Sequence, residues 1–276
     1  MTAVANVSLS IERPPPAARG WPLSRIVGYC LVGLWILAGI GLIAFLALSW
    51  DPELIAKYGP NYLRGIGVTL TLTLLSVAIG AVLSIPVAYA RMSSSVVLSS
   101  LAYAYVYFFR GTPLIAQSFL VYYGSGSLSP LLREMGLWEF FREAWYCALL
   151  AFSLNTAAYQ AEILRGAIES VPKGQWEGAA SLGLHRLQTL RMIVLPQALI
   201  VALRPYGNEI VLMLKGSAVA ALITVYDLMG ETRLAYSRTF DFQTYIWAAL
   251  IYFALVQALS HVIDFIERWL TRHLIR

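Results

Sequence analysis

Long stretches without a single Asp, Glu, Lys or Arg restrict this chain more than any other feature. Ile26–Ser49 runs for 24 such residues, Gly65–Ala90 for 26 and Phe242–Ile263 for 22. A helix needs roughly 20 mostly apolar residues to cross a hydrocarbon core of about 30 Å, and Ile26–Ser49 would be about 36 Å long. Inside lipid every backbone N–H and C=O must be paired within the segment, so such runs must be helical. The composition agrees: 59% of residues are hydrophobic and 13% charged, with a mean hydropathy of +0.67, against about 25% charged in soluble domains. That excludes a soluble enzyme, a disordered chain or a nucleic-acid binder. The net charge of +5 fits basic loops beside an anionic leaflet. Cys30 and Cys147 lie inside apolar stretches and read as small buried hydrophobes, with no disulfide framework. The fold class is an all-α integral membrane protein.

Residues 1–25, with Pro14, Pro15, Pro16, Arg13, Arg19 and Arg25, read as a disordered cytoplasmic tail. Residues 26–49 form the first span. A cleaved signal sequence is the rival, since Ala47-Leu48-Ser49 resembles a cleavage site. The apolar run exceeds the usual core of about 7–15 residues, so the span is expected to remain. In Gly65–Ala90, the small residues Ser76, Gly80, Ser84 and Ala88 recur at helical spacing, a stripe suited to close helix packing. A third span starts near Ser99 and meets Arg110-Gly111-Thr112-Pro113, where Gly and Pro break it. It ends near Tyr123, before a loop over Gly124–Glu143. Ala144–Arg165 is the fourth span and roughly Gln197–Tyr226 the fifth, interrupted by Arg204, Glu209 and Lys215; Phe242–Ile263 is the sixth, followed by a basic tail. Six spans put both termini on one side. With that side cytoplasmic, 12 Lys and Arg fall inside and six outside, as the positive-inside rule requires.

The long charged loop 166–196 carries a short helix, with Pro172 at its start and Gly183 at its end. An amphipathic helix with Leu184, Leu187, Leu190 and Val194 on one face follows, closed by Pro196. A short capped helix beside an interfacial one suits docking of a cytoplasmic partner; an ordinary loop is the bland alternative. Among the intramembrane polar residues, Asn155, Tyr159 and Glu162 share one helix face. They line a hydrophilic path or form an interhelical hydrogen-bond set. Arg110 meets a substrate carboxylate or satisfies carbonyls freed by the Gly-Thr-Pro break. Glu209 attracts a cationic substrate or pairs with Arg204 or Lys215. His185, His261 and His273 are dispersed, so no metal site is expected, and no catalytic constellation accompanies Ser260-His261.

Glu177-Gly178-Ala179, then Gly183, then Ile193, Leu195 and Pro196, resembles the EAA loop of ABC importer permeases, with Gly178 where Ala is usual. That change loosens the helix by up to about 1 kcal/mol. Phe109-Arg110-Gly111-Thr112-Pro113-Leu114, Ala158-Tyr159-Gln160-Ala161-Glu162-Ile163 and Ser170-Val171-Pro172-Lys173-Gly174-Gln175-Trp176-Glu177 look like the polar amino-acid uptake branch. Asn208-Glu209-Ile210-Val211-Leu212-Met213-Leu214-Lys215 is similar to the M-type permease of histidine, basic amino-acid and opine transporters. The resemblance covers residues 60–273 and implies a type I permease bundle of five core helices, with the first helix an addition.

It further implies that the loop, through Pro172, Lys173, Trp176, Glu177, Gly178, Ala179, Gly183, Ile193, Leu195 and Pro196, docks on an ATPase subunit. Implied partners are cytoplasmic ABC ATPases, a second permease, identical or homologous, and an extracytoplasmic amino-acid-binding protein, in a bacterial inner membrane. Implied substrates are arginine, lysine, histidine, ornithine or opines, with glutamine or glutamate as the alternative. The chain has no phosphate-binding loop of its own, since Lys215-Gly216-Ser217 lacks the preceding glycines, so hydrolysis falls to another polypeptide and no cofactor is expected. An ion-coupled secondary transporter would need an internal inverted repeat, and an intramembrane enzyme a catalytic pair; neither is seen.

Overall fold

The computed structural model describes residues 22–48 and 51–272, and every regular element among them is helical. Most of the expected N-terminal tail (residues 1–21), Ser49, His273 and Arg276 lie outside the described residues. The chain divides into two units, one ending at Asp51 and one beginning at Pro52. The first holds α1 (Leu23–Leu48), 26 residues with none buried, about 39 Å long. Cys30 is exposed on α1, contrary to its expected burial, because nothing in this unit packs around it; Cys147 is buried as expected.

In the second unit, α2 (Pro52–Arg91) is the axis. It starts at Pro52 rather than at the expected Gly65. Proline is at home in a first helical turn, and Tyr58 and Tyr62 bury themselves in a cluster with Leu228, Ala235 and Ala248. The Tyr62 hydroxyl donates to the Thr244 carbonyl at 2.8 Å. Further along, the expected stripe of Ser76, Gly80, Ser84 and Ala88 is buried. At Gly80 an added Cβ would collide with the Thr156 side chain and lie 3.2 Å from the Ala157 nitrogen, so only glycine admits α7 (Ala144–Glu169) this closely.

The two helices pair in parallel register. Leu72 packs with Ala148, Ala151 and Phe152, and Ala88 with Ala161 and Leu164. Two crossings separated by one intervening crossing must be parallel, so the register agrees with a single span between α2 and α7.

The third span is split, as its sequence requires. α3 (Val96–Gly111) stops at Thr112, whose φ −112° and ψ 146° are extended, because a following proline disfavours helical backbone. α4 (Leu114–Ser127) resumes after Pro113. The expected loop over 124–143 is partly helical: α4 runs on through Gly124 to Ser127, and α5 (Ser129–Glu134) and α6 (Trp138–Phe141) follow. Serine hydroxyls support that extension, Ser125 Oγ donating to the Tyr122 carbonyl at 2.8 Å.

Beyond α7 lie α8 (Lys173–Ser181) and α9 (Arg186–Thr189), then a π-helical turn (Leu190–Val194) leading into α10 (Leu195–Gly216). Pro196 was expected to close the amphipathic helix. It does not: helix runs on from Arg186 through a final 3₁₀ segment to Ile223. Pro196 sits in the first turn of α10, where its missing N–H is tolerated, and the π turn carries the Leu195 N–H to the Leu190 carbonyl. α11 (Leu228–Thr239) is capped by Asp227, which accepts from the Gly230 N–H at 2.8 Å. α12 (Gln243–Thr271) outruns its expected end at Ile263, drawing Arg268 of the expected basic tail into the helix.

By length and hydropathy alone, four helical runs can cross a membrane: α1, α2, Arg186–Ile223 and α12. The third span is missed because it is split. α7 is missed because it carries Ser153, Asn155, Thr156 and Gln160, all buried against neighbouring helices rather than turned to lipid. Large exposed apolar side chains such as Phe253 and Phe265 on α12 form the kind of surface that hydrocarbon or an apolar partner covers.

Candidate functional site

Two constellations carry chemistry. The first is α8, a capped nine-residue helix. Pro172 is its N-cap, one position earlier than the expected first turn. At the other end Gly183 is left-handed (φ +75°). The Gly183 N–H donates to the Ala180 carbonyl and the Leu184 N–H to the Ala179 carbonyl, both at 3.0 Å. This is a Schellman closure, which satisfies the last carbonyls and favours glycine at that position.

One face of α8 stands on the bundle: Ala179 is 3% exposed, and Trp176 packs against the cluster of Ile168, Val171, Val194 and Ala198. Lys173, Glu177 and Gly178 face outward. The expected docking set therefore splits, with Ala179 and Trp176 as footing and Lys173, Glu177 and Gly178 as free surface. Of the distal motif, Ile193 and Leu195 are half-buried and Pro196 is exposed where the run enters α10.

The second constellation lies where the α3–α4 break meets α7. An open cleft of about 420 Å³ is lined by Arg110, Tyr159, Glu162, Val201 and Pro205, among others. That volume falls within the range of about 300–1,000 Å³ common for ligand pockets. The Arg110 guanidinium lies 5.1 Å from the Tyr159 ring centroid, a cation–π arrangement, and forms no salt bridge among the described residues. The freed carbonyls are served by other groups. Gln117 Nε2 donates to the Phe109 carbonyl at 2.9 Å and the Thr112 carbonyl at 3.1 Å. Asn155 Nδ2 donates to the Phe109 carbonyl and to Gln117 Oε1, both at 3.0 Å. Gln117 was not singled out from the sequence; a polar side chain four residues past the break proline is the signal that would have found it.

Arg110, Tyr159 and Glu162 are thus brought together at the cleft, while Asn155 is buried behind it. Glu162 is fully engaged. Arg91 Nε donates to its Oε1 at 2.9 Å and Arg165 to its Oε2 at 2.8 Å. Glu209 is buried and pairs with neither Arg204 nor Lys215: Thr156 Oγ1 donates to its Oε1 at 2.9 Å, and Arg204 is paired with Glu267 at 3.0 Å.

Of the dispersed histidines, His185 caps α9 and His261 contacts the Gln257 carbonyl. A family profile described as binding-protein-dependent transport system inner membrane component matches residues 76–276. The chain belongs to this family. It is accordingly a transport component, a multi-pass permease of the inner membrane.

Within the family, it is 43% identical over 225 residues to the nopaline transport system permease protein NocM of Agrobacterium fabrum, covering 81% of this chain and 93% of that one. It is 37% identical over 212 residues to the arginine ABC transporter permease protein ArtM of Escherichia coli K12, covering 77% and 95%. A crystal structure of an amino acid ABC transporter with histidines superposes with a TM-score of 0.70 at 34% identity, over 80% of this chain and 99% of that one. The methionine transporter MetNI, at 20% identity and a TM-score of 0.63 over 76% and 96%, shares the permease fold. An all-helical importer-type bundle, expected from the sequence, is what this permease has.

Proposed function

We propose that this chain is the membrane-spanning subunit of an ATP-driven importer of basic amino acids or the opines derived from them. The observation that carries the proposal is similarity to an arginine and a nopaline permease across more than nine-tenths of each relative. Its working partners are two ATPase subunits below, a second permease alongside and an extracytoplasmic binding protein above. ATP is hydrolysed by the partner, and α8 carries its closure into the bundle. The substrate moves inward along the cleft face. There Arg110, stacked on Tyr159 and free of a carboxylate, offers two or more N–H donors to a substrate carboxylate. Glu209 supplies negative charge behind the wall; Asn155 holds the break that places Arg110; Glu162 gives the wall its lower edge. Residues 60–273 serve as the permease domain, with 166–196 as its coupling loop and α1 as an added span.

In proteoliposomes holding the assembled complex, arginine or an arginine-derived opine is expected to be imported in strict dependence on ATP and loaded binding protein. Strong glutamine or glutamate uptake without competition from arginine would favour the neutral or acidic branch instead.

Both termini are assigned to the cytoplasm, because the flank of α1 is basic and the parallel pairing of α2 with α7 fits six alternating crossings. Reporter fusions at residues 20 and 58 are expected to give opposite locations. A mature protein starting near Trp50, or both reporters outside, would contradict that topology.

A further inference from the structure

Four charged side chains alternate in sign across the foot of the bundle. Arg91 closes α2, and its Nε donates to Glu162 Oε1 at 2.9 Å. Glu162 lines the cleft and is shared with Arg165, whose Nη2 reaches Oε2 at 2.8 Å. Arg165 spends its other arm on Glu169 Oε2 at 2.6 Å. Glu169 is the last residue of α7, and only Ser170, Val171 and Pro172 separate it from α8. Arg91 also stacks 5.0 Å from the Tyr103 ring of α3, and its carbonyl accepts from Ser99 Oγ at 3.4 Å. One connected chain of ion pairs therefore runs from the end of α2, where Tyr103 and Ser99 of α3 hold Arg91, past the cleft wall to the threshold of α8.

The side chains of Arg91, Glu162 and Arg165 are 16, 13 and 27% exposed, so their interaction is screened far less than that of a surface pair. The contacts beneath them, among Ala88, Ala161, Leu164, Ala167 and Val194, are between smooth apolar side chains that tolerate sliding. The forked Arg165–Glu162 pair lies within α7; the link across to α2 is the Arg91 Nε–Glu162 Oε1 bond, and sliding α2 past α7 would leave these two largely buried charges unpaired.

We propose that Arg91, Glu162, Arg165 and Glu169 form a positioning network that fixes α8 relative to the cleft, so that displacement of α8 moves α2 and α3 together with α7. The proposal rests on the coupling role of α8, and Glu162 is a positioning residue in it.

The test is hydrogen exchange of the α8 amides, together with the ratio of stimulated to basal ATP hydrolysis, in the assembled complex in nanodiscs. Glu162→Gln keeps the side-chain volume but leaves Arg91 and Arg165 without their shared carboxylate. It is expected to speed exchange across Lys173–Ser181 by tenfold or more and to abolish stimulation by loaded binding protein. Inverting the whole network (Arg91→Glu, Glu162→Arg, Arg165→Glu and Glu169→Arg) restores opposite charges at every link, and is expected to recover at least half of both readouts. Glu169→Gln, whose side chain is 54% exposed, leaves folding intact and is expected to speed α8 exchange two- to fivefold.

Unchanged α8 exchange in Glu162→Gln, or no recovery in the charge swap, overturns the proposal. If Glu162→Gln fails to insert, wild-type α8 exchange in Glu169→Gln overturns it instead. The exchange readout needs no transport, so a wild-type complex that imports no basic amino acid would defeat the substrate assignment and leave this test standing.

Discussion

Glu177→Lys on the exposed face of α8 is expected to leave the permease inserted and folded while lowering substrate uptake by at least tenfold. The side chain faces outward, so reversing its charge disturbs no internal packing and acts only on what docks there. Gly183→Val is expected to have a comparable effect by another route. An added Cβ meets nothing within 4 Å, but φ is +75°, a region that costs an L-residue about 1–2 kcal/mol. The Schellman closure is then lost and α8 frays at its end. The ATPase should either dissociate from both variants or hydrolyse ATP without responding to loaded binding protein. A crosslinkable cysteine belongs at Gly178 or Ala180, not at Ala179, which is buried against the bundle. It should link to the ATPase and to no extracytoplasmic protein. Normal uptake by both variants and no crosslink would remove α8 from the coupling path.

Gly80→Leu is expected to be the most damaging single change within the bundle. Even a Cβ at residue 80 collides with the Thr156 side chain and approaches Gln160 Nε2 to 3.0 Å. Thr156 cannot simply rotate away, because its hydroxyl donates to Glu209 and accepts from Gln160 Nε2 at 3.0 Å. Overpacking at such a site costs typically about 1–3 kcal/mol, and breaking the buried polar links around Glu209 adds to that. Thermal unfolding in detergent should show a clear loss of stability, and expression should fall. Gly178→Ala is the control, since nothing lies within 4 Å of that position and alanine favours the helix; it should be neutral or slightly stabilising. A Gly80→Leu protein as stable as the parent would mean that α2 and α7 do not pack as described.

The segments that form the candidate site were legible in the sequence to different depths. The discontinuity at Thr112-Pro113 was fully legible, because proline acts on its own neighbour. The ends of α8 were legible within a residue, because caps follow local backbone rules. Pro196 misled: a first-turn proline and a helix-ending proline look the same along the chain, and the π turn that lets the helix continue leaves no mark in residue type. Along the chain nothing shows which side chains satisfy the carbonyls at the break; in three dimensions Gln117 and Asn155 donate to the Phe109 carbonyl.

Periodicity, hydropathy and the backbone preferences of glycine and proline act over a few residues, so the sequence by itself determined a helical membrane bundle, the break at Thr112-Pro113 and the capped α8. Partnerships between distant residues act through space, and only the tertiary structure decided them. Asn155 meets Gln117 across 38 positions, Thr156 meets Glu209 across 53, and Arg91 meets Glu162 across 71. No local rule distinguishes a carboxylate that two arginines will saturate from one left open in the cleft. That difference depends on which helix ends arrive together, and the parallel packing of α2 on α7, permitted by Gly80, is what brings Arg91 to Glu162.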